Sequence, residues 1–121
     1  MKNKLDDTKP IFLQIKEMIE DSIISNRLKE GDRVPSTNEF AAHYNINPAT
    51  AAKGINELVA EGILYKRRGV GMFVEENARE ILLEKHRENF YDDYIKPLKT
   101  AAEKLDISEE ELFQMLQREE S

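Results

Sequence analysis

The sequence contains no cysteine and only two histidines. The absence of thiols excludes disulfide bonds, thiolate metal sites and cysteine nucleophiles, and two histidines offer too few ligands for most metal centres. No apolar run approaches the roughly 18 residues that a membrane span requires, and none follows the N-terminal lysines as in a signal peptide. We therefore expect a cytoplasmic protein with no metal, no cofactor and no membrane partner.

The acidic charge is concentrated in the last third of the chain. The 121 residues include 18 Lys and Arg and 24 Asp and Glu, a net charge of -6. Residues 1–75 hold 11 basic and 11 acidic residues, whereas residues 76–121 hold 7 and 13. Because a ligand meets the local potential and not the total charge, the acidic balance does not exclude nucleic acid as a partner of the first part.

Helix signals in the first half predict three helices. Apolar residues recur at helical spacing over 10–26, and the capping box of Ser36 and Glu39 begins a second, short helix. Asn47-Pro48 supplies the N-cap and first residue of a third helix, which Gly62 ends. Two short helices joined by a brief turn outline a helix-turn-helix.

A β-hairpin is predicted directly after the third helix. Residues 63–67 and 72–75 favour strands, and glycines at positions 69 and 71 supply the positive φ that a tight turn needs. A helix-turn-helix followed by a hairpin is a winged helix. We therefore predict a mainly α fold with a small β-hairpin, in which a winged helix-turn-helix domain occupies residues 1–76.

The remaining residues, 77–121, are predicted to form a short helical tail. Helical periodicity returns at Asn77 and must end or kink at Pro97. A further short helix follows, and a second capping box, formed by Ser108 and Glu111, precedes the last one.

Gly54 and the two histidines leave alternatives open. A glycine inside a helix costs roughly 1 kcal/mol relative to alanine. Close approach by a neighbouring helix or by the wing would explain Gly54, and so would simple tolerance. His43 is expected on the exposed side of the second helix and His86 within the apolar stripe of the tail, both in structural roles.

Two groups of residues could contact DNA. The outer face of the third helix offers small or polar side chains, and its first N–H groups suit an anion; these side chains are Asn47, Ala49, Thr50 and Lys53. The hairpin tip carries three cations beside a glycine, a composition suited to a phosphate backbone or a minor groove; these residues are Lys66, Arg67, Arg68 and Gly69. An ordinary capped surface helix would explain the first group equally well.

Several motifs, taken in order and spacing, closely resemble the DNA-binding domain of the GntR family of bacterial transcription regulators. They are Pro10-Ile-Phe-Leu-Gln-Ile, Gly31-Asp-Arg-Val-Pro-Ser, Asn47-Pro-Ala-Thr, Glu57-Leu-Val-Ala-Glu-Gly-Ile-Leu and Arg68-Gly-Val-Gly-Met-Phe-Val. The short tail is similar to that of the YtrA subfamily. The resemblance implies a dimeric winged-helix protein on a palindromic operator, usually a repressor, and not an enzyme.

The resemblance also implies DNA contacts at the start of the second helix, from Ser36, Thr37 and Asn38. The family has an arginine where this chain has Asn38. The change removes a charge and a bidentate donor, so either base preference differs or the wing carries more of the binding.

The tail is expected to form the dimer, because its apolar stripe has little else to cover it; the stripe runs through Leu83, Phe90, Tyr94 and Leu98. A small-molecule pocket lined by Tyr91, Tyr94, His86 and Phe90 is an alternative use of the same helices. A second alternative is a protein-interaction module, which would need an apolar outer face on the third helix. The sequence does not indicate the operator, the regulated genes, any effector or the sign of regulation.

Overall fold

A computed structural model describes residues 5–119, which belong to two compact units. The units comprise Met1–Glu84 and Lys85–Ser121. The division between the compact units lies after Glu84, because Ala78 and Leu82 are buried in the core of the first unit. The predicted division at residue 76 into a DNA-binding and a dimerisation region stays a prediction. No helix among the described residues is long and apolar enough to span a membrane.

The first unit has the predicted winged-helix architecture. Its elements are α1 (Ile11–Ile24), β1 (Arg33–Val34), α2 (Thr37–Tyr44), α3 (Pro48–Ala60), β2 (Leu64–Arg67) and β3 (Gly71–Val74). The strands form an antiparallel sheet in the order β1-β3-β2. The sequence predicted only the hairpin, because the two residues of β1 are too few for an alternating pattern to reveal a strand.

Local capping residues begin α2 and α3 where the sequence predicted. The Ser36 hydroxyl oxygen accepts a hydrogen bond from the Glu39 N–H (3.1 Å), and the Glu39 carboxylate accepts one from the Ser36 N–H (3.1 Å). The Asn47 side-chain oxygen accepts from the Ala49 N–H (2.8 Å). After α3, Gly62 takes a φ of 78°, a left-handed conformation that favours glycine.

The core of the first unit lies where α1 packs against α3 and α3 packs against β2. Burial of each large aliphatic side chain contributes about 1.5–3 kcal/mol. The fully buried members are Ile15, Ile23, Val34, Ile55, Leu58, Ile63, Leu64, Val74 and Leu82.

Gly54 marks the closest approach of α1 and α3. A Cβ at this position would lie 2.5 Å from the backbone carbonyl oxygen of Phe12. That oxygen belongs to the α1 backbone and cannot easily move away, so the packing of α1 requires a glycine here. Of the explanations left open by the sequence, close approach by a neighbouring helix is the correct one.

A buried cation also joins α1 to α3. The Lys16 ammonium donates hydrogen bonds to Glu57 (3.3 Å) and to Glu61, and only 10% of the lysine side chain is exposed. Burial lowers the pKa of Lys16, but the hydrogen bonds to Glu61 and Glu57 and the charges of Glu61 and Glu20 outweigh burial and raise the pKa above its ordinary value. These contacts fix the far end of α3 against α1.

The tail residues are helical over most of their length. The elements are α4 (Ala78–Phe90), a π-helical turn (Tyr91–Ile95), α5 (Lys96–Lys104) and α6 (Glu109–Leu116). The sequence predicts that the helix ends or kinks at Pro97. α4 ends at Phe90, and Pro97 lies in the first turn of α5, directly after the π turn. Proline lacks an N–H and crowds the carbonyl four residues earlier, a conflict that the wider π turn relieves.

The cap of α6 is half of the predicted capping box. The Ser108 hydroxyl oxygen accepts from the Glu111 N–H (3.1 Å). Among residues 5–119 the Ser108 N–H donates no hydrogen bond to the Glu111 carboxylate, so the Ser108 side chain alone caps this helix.

Candidate nucleic-acid interface

Three elements of the first unit carry the residues predicted to contact DNA. They are the start of α2, the start of α3 and the wing, which we define as residues 66–71 at the tip of the β2–β3 hairpin. α2 packs against α3, and α3 packs against β2. The fold therefore gathers into one unit three segments that are separate in the sequence.

The outer face of α3 is polar or small, as predicted. Asn47, Ala49 and Lys53 are exposed and Thr50 is half-buried, whereas Ile55 lies on the opposite, buried side. This face lacks the apolar surface that the protein-interaction alternative requires.

The first N–H groups of α3 are not free, contrary to expectation. Pro48 has no N–H, the Ala49 N–H donates to the Asn47 side chain, and the Thr50 N–H donates to the Asn47 carbonyl oxygen (3.0 Å). The cap that begins the helix thus uses the donors that an anion would need. Any contact with DNA here must come from side chains.

Lys53 is held against α1. Its ammonium nitrogen lies 4.0 Å from the centroid of the Phe12 ring, a cation–π contact. Sequence patterns do not reveal this pair, because Phe12 and Lys53 lie on different helices and Phe12 fits the apolar face of α1. Phe12 therefore restricts where the charge of Lys53 can point.

The wing presents its cations on a stiff support. Lys66, Arg67, Arg68 and Gly69 are all exposed. At the base of the hairpin the rings of Tyr65 and Phe73 stack across the strands with centroids 5.8 Å apart, and the Arg67 guanidinium lies 5.5 Å from the Phe73 ring. Gly69, with a φ of 77°, forms the turn at the tip.

The three polar residues at the start of α2 differ in their hydrogen bonds and in their exposure. The Ser36 side chain serves as the cap, Thr37 is half-buried and Asn38 is exposed. Arg33, which the sequence did not single out, donates from its guanidinium to the Glu39 carboxylate (2.8 Å). This hydrogen bond, with those from Ser36, lowers the pKa of Glu39 below its ordinary value of 4.5.

Comparison with known proteins decides the family. Residues 12–74 match the family described as bacterial regulatory proteins, gntR family. The chain belongs to the GntR family. The HTH-type transcriptional regulator YhcF of Bacillus subtilis is 31% identical over 116 residues, 94% of this chain and 93% of that protein. The HTH-type transcriptional repressor YtrA of the same organism is 37% identical over 75 residues, 62% of this chain and 58% of that protein.

Solved structures of GntR proteins share the fold. A GntR family regulator from Listeria monocytogenes superposes with a TM-score of 0.77 at 28% identity, covering 96% of this chain and all of that one. The AraR DNA-binding domain, solved in complex with the operator ORX1, superposes with a TM-score of 0.53 at 29% identity over 61% of this chain and 90% of that domain. The chain is thus a GntR-type DNA-binding transcriptional regulator and not an enzyme.

In this GntR protein most residues predicted for dimerisation are exposed in the second unit. Phe90 is 53% exposed, Tyr94 64% and Leu98 37%, and the rings of Phe90 and Tyr94 lie 5.3 Å apart. Leu83 belongs to the first unit and is half-buried. Further exposed apolar side chains, which the sequence analysis did not assign to the dimer, are Leu105, Phe113, Met115 and Leu116.

The second unit contains a groove of about 230 Å³, but not the predicted one. Its lining is mainly apolar, with one lysine and one glutamate, and consists of Ile95, Leu98, Lys99, Glu109, Leu112, Phe113 and Leu116. The four residues predicted to line a ligand pocket do not border it and are exposed instead; they are His86, Phe90, Tyr91 and Tyr94. Among residues 5–119 no group of three or more His, Asp or Glu side chains could hold a metal.

Proposed function

We propose that this GntR regulator represses transcription as a homodimer on a palindromic operator. Each protomer would place the start of α3 in the major groove of one half-site. The proposed ligand, chromosomal DNA, implies a cytoplasmic location. The observation that carries the proposal is the wing, whose three exposed cations belong to the same unit as the exposed, polar face of α3.

Base recognition is assigned to the start of α3. Asn47, Ala49 and Thr50 are compact, so the helix can approach the edges of the bases closely. Lys53 would reach a guanine or a phosphate after leaving the Phe12 ring, 4.0 Å away. Thr50→Ala is expected mainly to relax base preference, because it removes a hydrogen-bonding group and no charge.

Backbone contacts are assigned to the wing and to the start of α2. Lys66, Arg67, Arg68 and Gly69 would follow a phosphate backbone or enter the minor groove. The start of α2 would contact the DNA backbone through Ser36, Thr37 and Asn38. Since Asn38 has no charge, the wing would supply most of the electrostatic attraction.

Dimerisation is assigned to the tail, residues 77–121, and DNA binding to residues 1–76. Exposed apolar side chains on the tail helices support this division, and the proposed dimer contacts are Leu83, Phe90, Tyr94 and Leu98. A twofold axis would set the two α3 helices about one helical turn of DNA apart, or a multiple of it. The acidity of the tail would keep the dimer region away from the phosphates.

Fluorescence anisotropy tests the proposal directly. The purified protein is titrated onto the DNA upstream of its own gene and onto a shuffled fragment, each at two salt concentrations. Tight, salt-sensitive binding that favours the native fragment, with two protomers per site, is expected. Equal weak binding to both fragments would contradict recognition of that site, and no binding at low salt would contradict the function.

A further inference from the structure

Arg33 lies between the wing and the start of α2. It belongs to β1, where it pairs with Phe73 of β3. Its side chain runs along Gly71, where a Cβ would lie 3.0 Å from the Arg33 Nε and within 4 Å of two of its side-chain carbons. Its guanidinium then reaches the Glu39 carboxylate at the first turn of α2 (2.8 Å). One side chain therefore touches two of the three elements assigned to DNA.

The guanidinium retains capacity for another anion. Arginine has five N–H donors in a planar fork that matches phosphate oxygens. Among the described residues, Glu39 is its one hydrogen-bonding partner, through a single terminal nitrogen. The side chain is 49% exposed, so the remaining donors are accessible to a ligand.

Stability alone does not account for the Arg33–Glu39 pair. Exposed ion pairs contribute little to stability, and Glu39 already caps α2 by accepting from the Ser36 N–H without the arginine. The pair does fix the guanidinium in place, which reduces the conformational entropy that the arginine must give up when it binds an anion.

We propose that Arg33 binds a backbone phosphate of the operator, with its guanidinium held in position by Glu39 and by the surface of Gly71. The inference rests on the proposed function, because it assumes that the wing and α2 face DNA. It adds to that surface an arginine five positions before Asn38, at a helix start that has no positive charge of its own.

Two substitutions distinguish phosphate binding from a purely structural role. Arg33→Gln removes the cation, and binding should weaken about tenfold on native and shuffled DNA alike. The slope of log Kd against log salt should fall by about 0.9 for each phosphate that the variant no longer binds. Glu39→Gln keeps a side-chain oxygen that can accept from both the Ser36 N–H and the Arg33 guanidinium, but it removes a negative charge. Binding to DNA should therefore be as tight as wild type or tighter.

The controls separate charge from folding. Arg33→Lys retains the charge and should keep the wild-type salt slope while binding somewhat more weakly. Arg27→Gln removes an exposed arginine whose Nε contacts Ser25, outside the three elements, and should leave the slope unchanged. Thermal unfolding of every variant checks that the first unit is intact.

The outcomes are distinct. Weaker binding with a reduced slope for Arg33→Gln, together with wild-type or tighter binding for Glu39→Gln, would support the proposal. Equal weakening by both variants at an unchanged slope would show a structural clamp and overturn it, as would wild-type binding by Arg33→Gln. Wild-type protein that binds no duplex would instead refute the proposed function, and with it this inference.

Discussion

The two units of the molecule differ in the burial of their apolar residues. Among the described residues, every buried apolar side chain except Ala102 lies in the first unit. The second unit holds most of the exposed large apolar side chains, namely Phe90, Tyr91, Tyr94, Leu98, Leu105, Phe113, Met115 and Leu116. Helical periodicity alone therefore does not indicate a core, because both units have it and only the first encloses its apolar face.

Charge is also distributed unevenly along the chain. Residues 1–75 are neutral in sum, but the fold puts three cations at the wing, whereas residues 76–121 carry the whole net charge of -6. A neutral segment can thus present a cationic surface. Each unit is suited to a different partner: DNA for the first and, in our proposal, a second copy of the chain for the second.

The largest expected effect comes from matched truncations of an aliphatic residue in each unit. Ile55→Ala removes a fully buried side chain and should lower the free energy of unfolding by about 2–5 kcal/mol. Leu105→Ala, at a site that is 69% exposed, should change it by about 0.5 kcal/mol or less. Urea denaturation at low protein concentration, followed by circular dichroism, measures both. Equal decreases in the free energy of unfolding for the two variants would contradict the difference in burial between the two units.

The second-largest effect is expected on self-association when exposed aromatic rings of the second unit are removed. Replacing both Phe90 and Tyr94 with alanine removes two neighbouring aromatic rings from the proposed dimer surface. At about 1.4 kcal/mol for each ring, the dimer Kd should rise about a hundredfold. Sedimentation equilibrium measures the change, with Thr100→Ala, an exposed residue of α5, as control. If dimerisation is unchanged, these exposed rings have another use.

DNA affinity should depend on the wing cations of the first unit, and removing these cations should leave self-association unchanged. Replacing Arg67 and Arg68 with alanine should weaken binding to all sequences by about tenfold and lower the salt slope by about 0.9 for each phosphate that is released. Lys104→Ala removes an exposed cation from the second unit and should alter neither quantity. An unchanged slope in the double variant, measured by anisotropy, would remove the wing from the mechanism.

The smallest effect on folding stability is expected from the Glu39 carboxylate, which belongs to one exposed helix cap. The hydrogen bond from Arg33, then those from Ser36, lower the pKa of Glu39 in the folded state. The folded protein therefore binds this proton less tightly than the unfolded chain does. The resulting stability is complete above the ordinary pKa of 4.5 and is lost as pH falls through the lowered value.

Glu39→Gln should accordingly lower Tm slightly at neutral pH, and the difference from wild type should shrink in acid. Glu111, at the same cap position of α6 but without the return bond, provides the comparison from the second unit. Glu111→Gln should lower Tm less. A difference between Glu39→Gln and wild type that stays constant into acid would contradict the assignment to this carboxylate.

Predictions that depended on neighbouring residues in the chain were the most accurate. The Ser36 and Asn47 caps and the glycine turn of the wing were all visible in the sequence and are present in the structure. They involve side chains that bond to backbone only two or three residues away, or a φ that glycine adopts readily. At Pro97 the sequence predicted that the helix would end or kink, and α4 does end before it, but the π turn that follows α4 has no sequence signature.

By itself, the sequence determined the order of the elements, the winged-helix fold, the family and the identity of the exposed wing cations, because capping, periodicity and turn chemistry act over a few residues. Only the tertiary structure decided that Phe12 contacts both Gly54 and Lys53, and that Arg33 joins the wing to α2. These contacts join residues on different elements. No periodic pattern records them, because they depend on how closely α1 approaches α3 and on how β1 pairs with β3.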